Sequence, residues 1–177
     1  MPEDVKTIII RLANKRAMGL ASESRVENEV AAMTIIRTAL EPEKLDYVIP
    51  ALYGWSSASG NSQGYTLMHY MPGSMMDFNA LDAAANPSSL DEMAKILAAI
   101  QRYTLPETVS HFGGLRYDKN NNMISGAMTM NPSKDIPAGP YTSYADLYAG
   151  LLSQELLEAD SNPVTKGWHA NGIRDPH

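Results

Sequence analysis

A chain of 177 residues is long enough for one domain with a core, or for two small lobes around a cleft, and too short for two independent enzymes. Its 44% apolar and 19% charged residues are globular proportions, and no window approaches the roughly 18 consecutive apolar residues of a membrane span. A net charge of -6 argues against a nucleic-acid partner, and the absence of cysteine excludes disulfides and thiolate metal sites. That absence, with an opening MPEDVKTIII that lacks the basic head and cleavage site of a secretory signal, suits a cytoplasmic location.

Residues 7–12, Thr-Ile-Ile-Ile-Arg-Leu, are β-branched and continuous, which predicts a strand buried on both faces or nearly so. The two-residue period puts Ile9 and Arg11 on one face, opposite Ile8, Ile10 and Leu12. The short basic run Arg11, Lys15, Arg16 reads as a solvated edge. Ser24 followed by Glu27 has the form of a capping box, and it opens a helix with Val26, Val30, Met33 and Leu40 in one core-facing stripe. Two strand-like runs follow, 47–55 and 65–70, joined by SSASGNSQG, whose composition predicts a flexible hairpin connection. That loop lacks the Lys-Ser or Lys-Thr and the following helix of a phosphate cradle.

The second strand stops at Pro72-Gly73. Beyond it, Ser89 with Glu92 caps a helix that turns Leu90, Met93, Leu97 and Ile100 inward. GGLRYDKNNNMISG predicts a hairpin around an Asn-rich turn, since Asn tolerates positive φ. Ser143 with Asp146 starts a further helix, with Tyr144, Leu147, Tyr148, Leu151 and Leu152 inward, and the polar tail 162–177 has Trp168 and Ile173 as apolar anchors. Strands and one helix come first and helices dominate afterwards, which predicts an α+β architecture divided at Pro72-Gly73 into 1–73 and 74–177.

Glu29 stands out in the first helix. At 100° per residue it lies within the arc of Val26, Met33, Ile36 and Leu40, so its carboxylate faces the core side. Two readings are open: it pairs with a cation, for which Arg11 is the candidate, or it sits at the stripe's edge and reaches water, as Arg37 does by extending its stem.

A strand cation paired with a helix carboxylate is how kinases hold ATP phosphates. Together with the blocks IIIRLANKR, RVENEVAAM, VIPALYGW, TLMHYMPG, LPETVSHFGGLRYD and GWHANGIR, this pattern resembles the fungal branch of the aminoglycoside phosphotransferase (APH) family, a protein-kinase-like group, over nearly the whole chain. The resemblance implies an incomplete protein-kinase-like fold, with antiparallel N-lobe strands and one helix, a hinge, and a mostly helical partial C-lobe. It places Arg11 as the phosphate-contacting cation and Glu29 as its partner. Met68 leads into a hinge of His69, Tyr70 and Met71, whose backbone N–H and C=O groups would hold adenine. The family usually has Glu where this chain has His69, and a lone His after an apolar strand is more often structural than catalytic.

Complete members of the family use ATP and magnesium to phosphorylate a small-molecule hydroxyl, with an Asp carried in a His-x-Asp loop and a second Asp for the metal. None of His69, His111, His169 or His177 has Asp two residues on, and Asp77-Phe78-Asn79 follows the hinge too closely to be the metal motif. Asp135, Asp146, Asp160 and Asp175 lack a paired motif. The expectation is therefore a member truncated at both ends that binds nucleotide without catalysing transfer and lacks the magnesium site. The alternative is a non-catalytic interaction module or pseudokinase-like remnant, whose exposed core surface would support self-association. Its 11 methionines would suit an adaptable contact surface, although Met filling of an irregular core is the commoner role.

Overall fold

The computed structural model describes residues 7–14, 22–58, 62–73, 87–128 and 139–161, in a mixed α+β arrangement. A three-stranded antiparallel sheet is formed by β1 (Ile8–Leu12), β2 (Leu52–Ser56) and β3 (Tyr65–His69) in the order β1-β3-β2. Helix α1 (Ser22–Leu40) connects β1 to β2 and lies on one face of the sheet. Between them Ala13, Val26 and Val30 are buried, with Leu52 and Trp55 packed around them.

β1 is not the doubly buried strand that its composition predicts. It is an outer strand of the sheet, and only the face carrying Arg11 and Ala13 turns toward α1. Ile10 and Leu12, on the opposite face, are 62% and 59% exposed. The expected strand 47–55 is also shorter: Asp46–Val48 is a 3-10 turn, and pairing begins at Leu52. Pro50 has no N–H for a ladder, and the Arg37 guanidinium holds the carbonyls of Asp46 and Ile49 away from one. Arg37 is thus half-buried and engaged rather than extended into water.

The expected hairpin is present as β4 (Gly114–Tyr117) paired with β5 (Met123–Gly126). Its turn places Asn121 at φ 65°, and the Asp118 carboxylate accepts the N–H groups of Asn120 and Asn122. This hairpin lies beyond Pro72-Gly73 in sequence yet packs back on α1, so the helix is covered on two sides. Ala31, which has no exposed surface, shares a helical face with Glu27 and Thr34, both of which bond to β4 residue Tyr117. A single amphipathic stripe does not describe such a helix.

Helices α2 (Pro87–Arg102) and α3 (Tyr144–Ser161) complete the described elements. α2 meets α1 near their C-terminal ends, where Ala39 and Ala99 are buried, and the Tyr47 hydroxyl donates to Glu92 at 2.6 Å. Of the residues expected to face inward, Leu90, Met93 and Leu97 are each more than half exposed, as are Tyr144, Tyr148 and Leu152. On α3 the buried position is Gln154, and Leu147 and Gly150 are half-buried on the same side. The amphipathic period therefore locates these helices correctly, while their apolar faces are left open among the described residues.

Of the three expected capping boxes one forms. Ser143 Oγ accepts the Asp146 N–H and donates to its carboxylate, immediately before α3. Helices α1 and α2 start two residues earlier than expected, at Ser22 and Pro87, and the carboxylates of Glu27 and Glu92 bond to Tyr117 and Tyr47 instead. The loop tip 59–61, Asp77-Phe78-Asn79, and the tail with Trp168 and Ile173 lie outside the described residues.

Candidate functional site

The Arg11 side chain leaves β1 on the face that α1 covers, and its Nη1 donates to Glu29 Oε1. Of the two readings open for Glu29, the paired one is found. The side chains are 58% and 28% exposed, so the ion pair adds at most about 1 kcal/mol, and the guanidinium stays reachable for a second anion. Thr66 stands opposite Arg11 on β3, fully buried, and its hydroxyl has no hydrogen-bond partner among the described residues.

Residues 68–71 form the exit of β3. Met68 is paired on both sides, opposite Ile9 and Leu52. The His69 N–H donates to the Ala51 carbonyl at 2.8 Å and the Tyr70 N–H to the Thr7 carbonyl at 3.3 Å. The Met71 N–H has no backbone acceptor among the described residues. The His69 ring is held by the Tyr53 hydroxyl, 3.1 Å from Nδ1, which gives it a structural partner on β2. Along β1, Arg11 lies three residues from Ile8, the partner of His69, a separation of roughly 10 Å at strand rise. That is comparable to the distance from a nucleotide's base to its first phosphates.

On its other side α1 grips the hairpin. Glu27 Oε1 accepts the Tyr117 N–H at 2.6 Å and Asn28 Oδ1 accepts the Leu115 N–H at 2.7 Å, while Asn28 Nδ2 reaches the Ala127 carbonyl at 3.4 Å. The Tyr117 hydroxyl donates to Thr34 Oγ1, and its ring lies 5.6 Å from that of Trp55. Sequence reasoning missed Glu27, Asn28 and Tyr53. One signal was present for Glu27: it has no Lys or Arg three or four residues away to pair with along the helix, which points to a partner elsewhere.

The carboxylates of Asp118 and Asp146 are committed to their own turns. Hydrogen bonds from Asn122 and Asn120 hold the Asp118 carboxyl below the usual carboxylate range, and those from Ser143 and Thr142 do the same for Asp146. Ala51, which accepts the His69 N–H, and Leu52, which pairs with Met68, line one of two cavities among the described residues. This one, of about 360 Å³, opens between Arg37, Asp46 and Leu52, and the other, of about 560 Å³, between the ends of α1 and α2. Among the described residues no set of three His, Asp or Glu side chains converges on one point. No family model, curated protein or solved structure matches the chain.

Proposed function

We propose that residues 7–71 form the nucleotide-holding part of an APH-like, protein-kinase-like phosphotransferase site. The observation that carries this reading is the Arg11–Glu29 pair, a strand cation fixed by a helix carboxylate with its head still open to an anion. Two features support it. Antiparallel strands accompanied by one helix, which the resemblance implies for an N-lobe, match the sheet of β1, β3 and β2 with α1 on one face. The exit of β3 also brings residue 69 to within roughly 10 Å of Arg11 along the sheet, about the span from a nucleotide's base to its first phosphates.

In this reading Arg11 contacts phosphate oxygens and Glu29 limits its rotamers. The Met71 N–H and the neighbouring carbonyls of residues 69–71 meet the base edge. Phosphoryl transfer to a small-molecule hydroxyl is assigned to no described residue, because Asp118 and Asp146 hold their own turns. Positioning alone leaves most of the barrier to transfer in place.

Calorimetric titration with ATP, ADP and adenosine tests the proposal. ATP binding that Arg11→Ala weakens about tenfold, with adenosine unaffected, is the expected result, since one charge-assisted contact is worth ~1.5–3 kcal/mol. No nucleotide binding, or equal loss for adenosine and ATP, would sink it.

A second reading has its own observation. Leu90, Met93 and Leu97 on α2, with Tyr148, Leu152 and Leu156 on α3, are exposed apolar side chains at helical spacing. Such surface favours an interaction module that associates with itself. A monodisperse oligomer whose thermal midpoint ignores ATP supports this second reading over the first.

A further inference from the structure

We infer that Asn28 is a positioning residue, and that the β4–β5 hairpin is a brace which, through Asn28 and Glu27, holds α1 at the rotation that sets Glu29 against Arg11. The functional part of this inference rests on the phosphate-holding reading of that pair; the mechanical part does not.

The geometry is specific. N–H groups alternate in direction along a strand, and Leu115 and Tyr117, two residues apart, present theirs on the edge of β4 away from β5. An open strand edge normally seeks another strand. Here two consecutive helix residues supply the acceptors, Glu27 at 2.6 Å and Asn28 at 2.7 Å. Asn28 also donates to Ala127, just past β5, so one side-chain amide touches both sides of the hairpin's open end.

The room for it is provided at Gly114. A Cβ there would stand 2.7 Å from both terminal atoms of Asn28 and 2.1 Å from the Ala127 carbonyl oxygen. The hairpin is fixed to the sheet as well as to the helix, since the Tyr117 ring packs against Trp55 of β2.

Glu27, Asn28 and Glu29 follow one another at 100° steps, so the first two face the hairpin while the third faces β1. Any rotation of α1 that separates Glu29 from Arg11 must break the contacts to Leu115 and Tyr117, and loss of those contacts frees the rotation. If α1 then occupies the paired rotation for only a tenth of the time, apparent ATP affinity falls about tenfold.

The absence of cysteine allows clean spin labelling at Ile10→Cys on β1 and Thr38→Cys on α1, both exposed. Electron–electron distance distributions are compared for the labelled chain with and without Asn28→Leu, alongside calorimetric titration of the unlabelled forms. A broadened or shifted distance in Asn28→Leu, with unchanged far-ultraviolet circular dichroism, is expected, together with ATP affinity about tenfold lower and adenosine affinity unchanged. An unchanged distance overturns the brace, whatever nucleotide binding does. A changed distance in a chain that binds no ATP even with Asn28 intact upholds the brace and overturns the nucleotide reading. Asn28→Ser, which shortens the side chain without adding apolar bulk, is read in the same way should Asn28→Leu fail to fold.

Discussion

Arg37 carries the segment after α1 on one guanidinium. Its Nη1 donates to the carbonyls of Asp46 and Ile49 at 3.2 and 2.7 Å, and its Nη2 to the Asp46 carboxylate at 2.7 Å. Both side chains of the ion pair are about one-third exposed, so its own share is small and the two carbonyls matter more. Arg37→Ala is expected to lower unfolding free energy by about 1–2 kcal/mol in urea titrations. Arg37→Lys should recover less than half of that, because one ammonium cannot reproduce the planar fork; full recovery would show that charge alone matters. Asp118 and Asp146 give a prediction in pH. Their carboxyls titrate below the ordinary 3.8 when folded, so the unfolded chain takes up protons first as pH falls. Their stabilisation is complete above that value and is lost as pH falls through the lower folded values. Amide shifts of Asn120, Asn122 and Asp146 followed toward pH ~2 should show midpoints below 3.8, and a midpoint at or above it contradicts the assignment.

At the level of elements, the contrast between two glycines separates close approach from mere strand position. Gly114 faces Asn28 and the Ala127 carbonyl, whereas a Cβ at Gly54 in β2 meets nothing within 4 Å. Gly114→Ala should cost about 1–3 kcal/mol by overpacking, and Gly54→Ala should be neutral or gain up to about 1 kcal/mol from reduced chain entropy. Thermal melts of the two variants check this, and equal effects would remove the case for a tight helix–hairpin joint. All three helices, the β4–β5 hairpin and the strands β1 and β3 are legible in the sequence, because hydrophobic period and turn chemistry are local signals. The caps of α1 and α2 are not, since Glu27 and Glu92 find tertiary partners that no local pattern encodes. The burial of β1 is misjudged for a related reason: a run of Ile says strand, while its place in the sheet is set by pairing order. Glu29 could be given a candidate partner, Arg11, from sequence, with the solvated reading left open beside it. Asn28 could not, because its partners lie 87 and 99 residues away.

For the molecule as a whole, the open stripes of α2 and α3 predict behaviour in solution. Among the described residues no helix is long and apolar enough to cross a membrane, so these faces are not spans. Leu97→Glu or Leu152→Glu, each at a side chain about 60% exposed, should lower the mean mass seen by light scattering while leaving helix content unchanged. No change in mass would leave the stripes without a role in association. The two-sided packing of α1 also bears on the order of assembly during synthesis. Sheet and helix can come together once residue 69 has emerged, while the partners of Glu27 and Asn28 lie almost fifty residues further on, at Leu115 and Tyr117. For that interval one side of α1 stands bare in a crowded solution. The residues it shows there are largely polar or small, Glu27, Asn28, Ala31 and Thr34, so the apolar surface left waiting narrows to the edge of the Val26, Val30 and Trp55 cluster that Tyr117 later covers.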